Sequence, residues 1–318
     1  MRVVVVGGAG YIGAHVTRLL LDRGDDVVVV DNLSTGDAAR VEGAELHLLT
    51  VTSGDDAALA EVLGGSDAVV HFAARKSVEE SVHDPVAYYR DNVVGVTTVL
   101  AAMRDAGVGG LVFSSSAAVY GEASGVVSES ADLRPINPYG RSKVVGEWAV
   151  SDAAAAYRIR ALSLRYFNVA GAADPSLRDH GARNLVPIAV EHARQGRPVS
   201  VFGDGYDTPD GSCVRDYVHV SDVADAHLAA LDHVVAAPAG YDDVLNVGTG
   251  VGSSVLEVLT TLGEVSGQAV DYEIGPPRDG DPAAVIGAVG KIEAVLGWRA
   301  SRDLRAIVGS AWTAGVTA

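Results

Sequence analysis

Cysteine is almost missing from this chain of 318 residues: Cys213 stands alone. An intrachain disulfide is therefore excluded, and so is a thiolate metal cluster. Positive charge is also scarce, with 24 Lys and Arg against 41 Asp and Glu and a formal net charge of -17. A surface of that sign repels phosphate backbones, which argues against nucleic acid as a partner. An anionic small molecule remains open, but its site must be locally basic. No apolar run approaches the roughly 20 residues of a membrane helix. The chain opens directly on a strand pattern that leaves no space for a signal peptide, so a cytoplasmic protein with no membrane partner is expected. No His or Cys spacing resembles a zinc site, and no metal is expected. His71 and His219, at or near strand ends, read as structural.

What is present is an alternation. Residues 2–6, 27–30, 46–51, 68–72, 111–115 and 160–165 are short apolar runs with the character of buried strands. Between them, residues 11–23, 55–63, 86–106 and 137–156 repeat apolar positions at helical spacing. Strands alternating with helices predict an α/β fold, a Rossmann-like doubly wound parallel sheet. After Asn168 the rhythm loosens, and Gly, Pro and Asp cluster in residues 171–181 and 203–211. Helical patterns return at 185–194, 220–233 and 254–265. The expected division is a first domain over 1–168 and a smaller C-terminal substrate lobe over 169–318, with some segments returning to the first domain.

The first run ends in GGAGYIG at residues 7–13, between an expected strand and an expected helix. Gly7, Gly10 and Gly13 give the GxxGxxG spacing. Such a loop turns tightly and lets backbone approach a pyrophosphate, which then sits on the helix N-terminus. Turns alone account for many Gly-rich heptads, but here both flanks fit. Asp31 ends the second strand, near the offset at which an acid meets the adenosine ribose. A carboxylate there suits the free 2′-hydroxyl of NAD and repels the 2′-phosphate of NADP. No arginine adjoins it.

Tyr139 and Lys143 lie four apart at the start of an expected helix and so share a face. A cation beside a phenol favours the phenolate, a usable base toward a sugar hydroxyl. Ser116, ending the preceding strand, could hydrogen-bond the same hydroxyl. A solvent-facing helix can also carry such a pair. Lysine, however, occurs only at 76, 143 and 291. Where arginine is the default cation, a retained lysine suggests a role for a compact ammonium.

GGAGYIG, DNLSTG, HFAARKSVEES, FSSSAAVYG, NPYGRSK, LRYFNVAG and VRDYVHVSDVA, in this order, resemble the extended short-chain dehydrogenase/reductase family over nearly the whole chain. Within it the set is most similar to the UDP-glucose 4-epimerase branch. Ala117 and Ala118 stand where dehydratase relatives carry acids, and residues 202–217 form the longer variant of the FGDGxxxRDY segment. The resemblance implies Ser116, Tyr139 and Lys143 as the catalytic set. It implies NAD contacts from Gly7, Gly10, Tyr11, Ile12 and Gly13, and from Asp31, Asn32, Ser34, Thr35 and Gly36. Further NAD contacts are implied from Thr50, Val51, Phe72, Ala73, Ala74, Lys76, Asn92, Ser114, Tyr139, Lys143 and Tyr166. A UDP-sugar would be held by Lys76, Ser116, Tyr139, Tyr166, Asn168, Asn184, Leu185, Val201, Phe202, Arg215, Arg278, Asp281 and Val285. The guanidinium forks of Arg215 and Arg278 suit a diphosphate.

Two positions depart from the family pattern. Thr50 replaces a usual Asp near the adenine, and Val285 replaces a bulky Tyr found in relatives strict for glucose and galactose. The implied activity is NAD-dependent 4-epimerisation of a UDP-hexose through a transient 4-keto sugar, N-acetylhexosamine forms included as an option. The resemblance also implies a homodimer. A 4-epimerase of an unusual nucleotide sugar, a net NAD-dependent dehydrogenase or reductase, and a non-catalytic NAD-binding module are the competing readings. Fold alone does not separate them.

Overall fold

The run Val3–Val6 has no side that could face water, and in the computed structural model all four valines are fully buried in a central strand. The structure describes residues 1–54, 56–181, 184–278 and 280–316. Along the first half, β1 (Arg2–Val6) leads to α1 (Tyr11–Arg23), β2 (Asp26–Asp31), β3 (Glu45–Leu48), α2 (Asp56–Leu63) and β4 (Ala68–His71). Then come α3 (Val78–His83), α4 (Pro85–Tyr88), a π-helical turn (Tyr89–Val94), α5 (Gly95–Ala106) and β5 (Gly110–Ser116). They are followed by β6 (Gly125–Val127), α6 (Pro138–Tyr157) and β7 (Arg160–Tyr166). The second half holds β8 (Asn168–Ala170), α7 (Leu185–Arg194), β9 (Val199–Phe202), β10 (Val214–His219), α8 (Val220–Ala236) and β11 (Asp242–Val247). It closes with β12 (Gly252–Ser254), α9 (Val255–Ser266), β13 (Tyr272–Gly275), β14 (Ala284–Gly287), α10 (Gly290–Leu296) and α11 (Leu304–Val316).

The main sheet has seven strands in the order β11-β7-β5-β4-β1-β2-β3. The pairs of β1 with β2 and β4, of β2 with β3, and of β4 with β5 are parallel. This is the expected Rossmann-like sheet. Its strand order reverses between β1 and β4, and ligands of such sheets bind outside the carboxyl ends of strands at that switch. On one face Val4, Val6, Val28, Val30, Val69, Leu111 and Phe113 join a buried cluster with residues of α2, α5 and α6. Strand side chains alternate, so His71, two residues past Val69, points to the same face.

Two compact units emerge. The first comprises Met1–Gly121, Leu133–Arg165 and Ala224–Leu245, and the second comprises Glu122–Asp132, Tyr166–Val223 and Asn246–Ala318. The second is built on a five-stranded sheet in which β12, β10, β14 and β6 follow one another and β8 pairs with β10. Its apolar core gathers Val186, Ala189 and Val190 of α7, Val258, Leu259 and Leu262 of α9, and Ile307 and Val308 of α11.

Two elements depart most from expectation, the others matching it or shifting at their ends by one to three residues. The third strand ends at Leu48 rather than Val51, because its only sheet partner, β2, ends at Asp31, the residue opposite Leu48. Thr50 and Val51 therefore lie in a loop, where Ser53 N donates to Thr50 O at 2.9 Å. The long helix expected over 86–106 contains the π-helical turn, whose one buried residue is Asn92. The expected start of the second helix, Asp55, lies outside the described residues.

Candidate active site

The loop after β1 is shaped for close approach. Gly7 has φ +81°, and a Cβ there would stand 2.5 Å from the backbone nitrogen of Ala73. Only glycine lets the β1 and β4 loops pass this near each other. Gly10 is the N-cap of α1 and places no side chain over the helix N-terminus, the end of a helix that favours an anion. Tyr11, Ile12 and Gly13 form the first turn. Asp31 accepts from Ala9 N at 2.9 Å through one oxygen and from Leu33 N at 2.8 Å through the other. The carboxylate is thus fixed against the phosphate loop. Asp37 N donates to Ala9 O at 3.1 Å, so residues 31–37, with Ser34, Thr35 and Gly36, fold over the same loop. Asn32 Nδ2 reaches Thr50 Oγ1 at 3.4 Å. Glycine cradle, open helix N-terminus and fixed carboxylate together fit a dinucleotide with free ribose hydroxyls.

On the other side of the switch, Phe72 N and Ala73 N both donate to Val6 O, at 2.7 and 3.0 Å. Lys76 Nζ lies 5.4 Å from the centroid of the Tyr11 ring. Asn92 is fully engaged within the protein: its Oδ1 accepts from Arg75 N at 2.7 Å, and its Nδ2 donates to Arg75 O at 3.0 Å and to Ser142 Oγ at 2.9 Å. It ties the segment after β4 to α6.

The start of α6 carries Tyr139. Asn137 caps the helix by accepting from Gly140 N at 2.8 Å, and Pro138 opens it. A Cβ on Gly140 would stand 2.5 Å from Ala118 O, so glycine lets the helix press against the turn that follows Ser116. Tyr139, Lys143, Ser116 and Ser114 are thereby brought together. Burial pushes the half-buried Tyr139 phenol above its ordinary range, and hydrogen bonding from Ser116 opposes this. Lys143 Nζ donates to Ser114 O at 2.7 Å and lies 6.0 Å from the centroid of the Tyr139 ring. A shift below the ordinary range, expected from the neighbouring cation, is not found: burial is the largest influence on the phenol and outweighs the Ser116 hydrogen bond. Burial brings Lys143 itself down to about 8, against the pull of Glu147.

Sequence reasoning passed over the group beneath Lys143. Glu147 and Arg165 form a buried pair, with Arg165 Nε 2.9 Å from one carboxylate oxygen and a terminal nitrogen 2.6 Å from the other. Ser115 Oγ also donates to Glu147, and the remaining Arg165 nitrogen donates to Tyr120 Oη at 3.0 Å. The available signal was a glutamate one helical turn after Lys143 on the same face. His71 is buried with neither ring nitrogen hydrogen-bonded, and burial, then the Lys143 charge, lowers it to about 3.

In the second unit, Arg215 and Asp281 pair at 2.7 Å, and Arg215 also donates to Pro282 O at 2.9 Å. Val285 lies opposite Arg215 in the β10–β14 register. The Arg278 guanidinium stacks 3.8 Å from the centroid of the Phe202 ring, beside buried Val201 on β9. Asn168 pairs with Tyr217, Asn184 stands at the N-cap position of α7 ahead of Leu185 without a side-chain cap bond, and Tyr166 is buried at the end of β7. Among the described residues no three His, Cys, Asp or Glu side chains are arranged to hold a metal. No helix among them is long and apolar enough to cross a membrane.

A family model described as the NAD dependent epimerase/dehydratase family matches residues 3–248. The chain belongs to this family. The UDP-glucose 4-epimerase of Corynebacterium glutamicum is 43% identical, over 98% of this chain and 95% of the relative. Among solved structures, a UDP-glucose-4-epimerase from Stenotrophomonas maltophila with bound NAD and formylated UDP-arabinopyranose superposes with a TM-score of 0.94 at 40% identity. That match covers 100% of this chain and 98% of the other. A UDP-Glc/GlcNAc 4-epimerase from Campylobacter jejuni matches with a TM-score of 0.87 at 38% identity, covering 100% and 99%. The family is NAD dependent, in agreement with the cradle around Gly7 and Asp31.

Proposed function

We propose that this family member is a UDP-hexose 4-epimerase whose catalytic set is Ser116, Tyr139 and Lys143. The observation that carries this is their convergence at the N-terminal end of α6, in a chain whose relatives across nearly its full length are UDP-glucose 4-epimerases. NAD, when bound, would supply hydride-transfer chemistry at the sugar C4. The chain handles the proton and the positioning. Tyr139 Oη accepts the O4 proton and later gives it back. Two features favour its anionic form: the positive N-terminal end of the long helix α6 and the Ser116 hydroxyl. Ser116 orients O4. Arg215 and Arg278 bind the diphosphate, so that the 4-keto sugar turns while its nucleotide stays anchored. Asn168, Asn184, Leu185, Val201, Phe202, Tyr166 and Asp281 complete the nucleotide-sugar contacts. Asn92 supports the cofactor by holding the segment that carries Lys76.

Val285 is small where strict glucose–galactose relatives carry Tyr, which favours a pocket that also admits N-acetylhexosamines. The deciding assay follows the 4-epimer formed from UDP-galactose and from UDP-N-acetylgalactosamine without added NAD. Turnover of both is expected. Stoichiometric release of NADH in place of an epimer would turn the reading to a net dehydrogenase.

The enzyme is also proposed to form a homodimer. The first unit exposes Val78 and Val82 of α3, Val86 of α4 and Trp148 of α6, and α3 and α4 both pack against α6. Apolar side chains gathered on packed helices suit a self-complementary contact. Sedimentation at micromolar concentration should give twice the 32.6 kDa chain mass; a single-chain mass would remove the dimer.

A further inference from the structure

Glu147 follows Lys143 by four residues on α6, and both side chains are buried. The two reach neighbouring residues at the end of β5. Lys143 Nζ donates to Ser114 O at 2.7 Å, and Ser115 Oγ donates to Glu147. These bonds bolt the strand that ends in Ser116 to the helix that carries Tyr139 in its first turn. Arg165, on the neighbouring strand β7, grips Glu147 through both carboxylate oxygens, and its guanidinium carbon lies 4.9 Å from the centroid of the Tyr120 ring. A carboxylate buried beside two cations is a costly arrangement, and replacing such an array by apolar side chains is often neutral or stabilising. Its presence one helical turn from Lys143 asks for a reason other than stability.

We propose that Glu147 is a positioning residue for the catalytic set, fixing the end of β5 against α6 and supplying the buried counter-charge that keeps Lys143 an ammonium. This rests on the reading of Lys143 as part of the epimerase site. Several groups bear on the pair. His71 on β4 is uncharged, the Tyr139 ring lies on the same helix as Lys143, and Arg165 and Tyr120 adjoin Glu147. Asp242 on β11 also senses the Glu147 charge. Among the described residues, the Glu147 charge favours the protonated form of Lys143, against burial. Without it, burial would act on Lys143 with no opposing Glu147 charge.

The test uses the protein's shortage of lysine. With [ε-13C]lysine, Lys143 can be titrated by NMR against Lys76 and Lys291. In the natural protein its midpoint is expected at about 8. In Glu147→Gln it is expected to fall by about one pH unit, and the alkaline limb of the turnover profile should move with it. Merely loosened packing would admit water and move the midpoint up toward the ordinary lysine range. A rise or no change therefore overturns the proposal. Should Glu147→Gln not fold, the double variant Glu147→Leu/Arg165→Met removes both charges and refills the space. Its Lys143 midpoint should also fall, by less, and a rise or no change is again fatal. If the protein formed no 4-epimer from either UDP-sugar, the epimerase reading would fail, while the lysine titration would still decide whether Glu147 holds the ammonium.

Discussion

Two charged clusters, one in each unit, are built on opposite terms. Around α6, Glu147 and Arg165 keep only 6% and 4% of their side chains exposed, and the carboxylate has bonds from both Ser115 and the guanidinium. In the second unit, Arg215 and Asp281 keep 18% and 30% exposed, and two of the three Arg215 partners are backbone carbonyls. The first arrangement cannot exchange partners without stranding a buried charge, which costs several kcal/mol, on the order of 3–5. The second can: a guanidinium near solvent can trade a carbonyl for a phosphate oxygen at little cost. A rigid electrostatic frame suits proton transfer, where geometry must hold through the reaction. An exchangeable one suits a ligand that enters and leaves.

The contrast can be broken by substitutions on each side. The largest effect is expected from Tyr139→Phe. Turnover should fall by about 10²–10⁴-fold, the usual contribution of a positioned acid–base group, with UDP and NAD affinities unchanged. Near-normal turnover would remove Tyr139 from the chemistry, and a loss confined to affinity would move it from the frame to the binding side. Val285→Tyr probes recognition. It should reduce kcat/KM for the N-acetylhexosamine substrate by about 100-fold relative to UDP-galactose, within the range a pocket of fixed size commands. Equal loss for both substrates would deny that Val285 is a gate.

The smallest effect concerns the frame's buried histidine. His71 has a folded-state value of about 3 against an ordinary 6.5. The unfolded chain therefore takes up this proton first, and stability falls as pH drops from 6.5 toward 3. At pH 5.5 the penalty from this one group is about 1.3 kcal/mol relative to neutral pH. His71→Leu should flatten the acid limb of urea-unfolding stability by that amount. An unchanged slope would mean that His71 finds a proton partner in solution.

Much of this could be read directly along the chain, and the reason is locality. The run Val3–Val6, the glycines that follow and Asp31 at the end of β2 are each specified by neighbours in sequence. A parallel strand buried on both faces leaves an unbroken apolar signature. Tyr139 and Lys143 were legible because a helix places residues four apart on one face. The end of β3 was not legible, since it depends on where β2 stops, and the π-helical turn around Asn92 has no periodic signal in an apolar-rich stretch. The second unit is harder still. Its sheet collects short strands from residues 125–127 through 284–287, none of which means much alone.

By itself the sequence determined the alternation of strands and helices, the dinucleotide loop, the preference for an unphosphorylated ribose and the identity of the candidate acid–base residues. These follow from side-chain volume, backbone freedom and helical periodicity, which act over a few residues. Only the tertiary structure decided that Lys143 rests on the Ser114 carbonyl, that Glu147 and Arg165 lie buried beneath it, and that Tyr139 is held above its ordinary range. Those outcomes turn on desolvation and on charges from β5, α6 and β7 meeting in one small volume, and no stretch of chain specifies that meeting before the sheet is assembled.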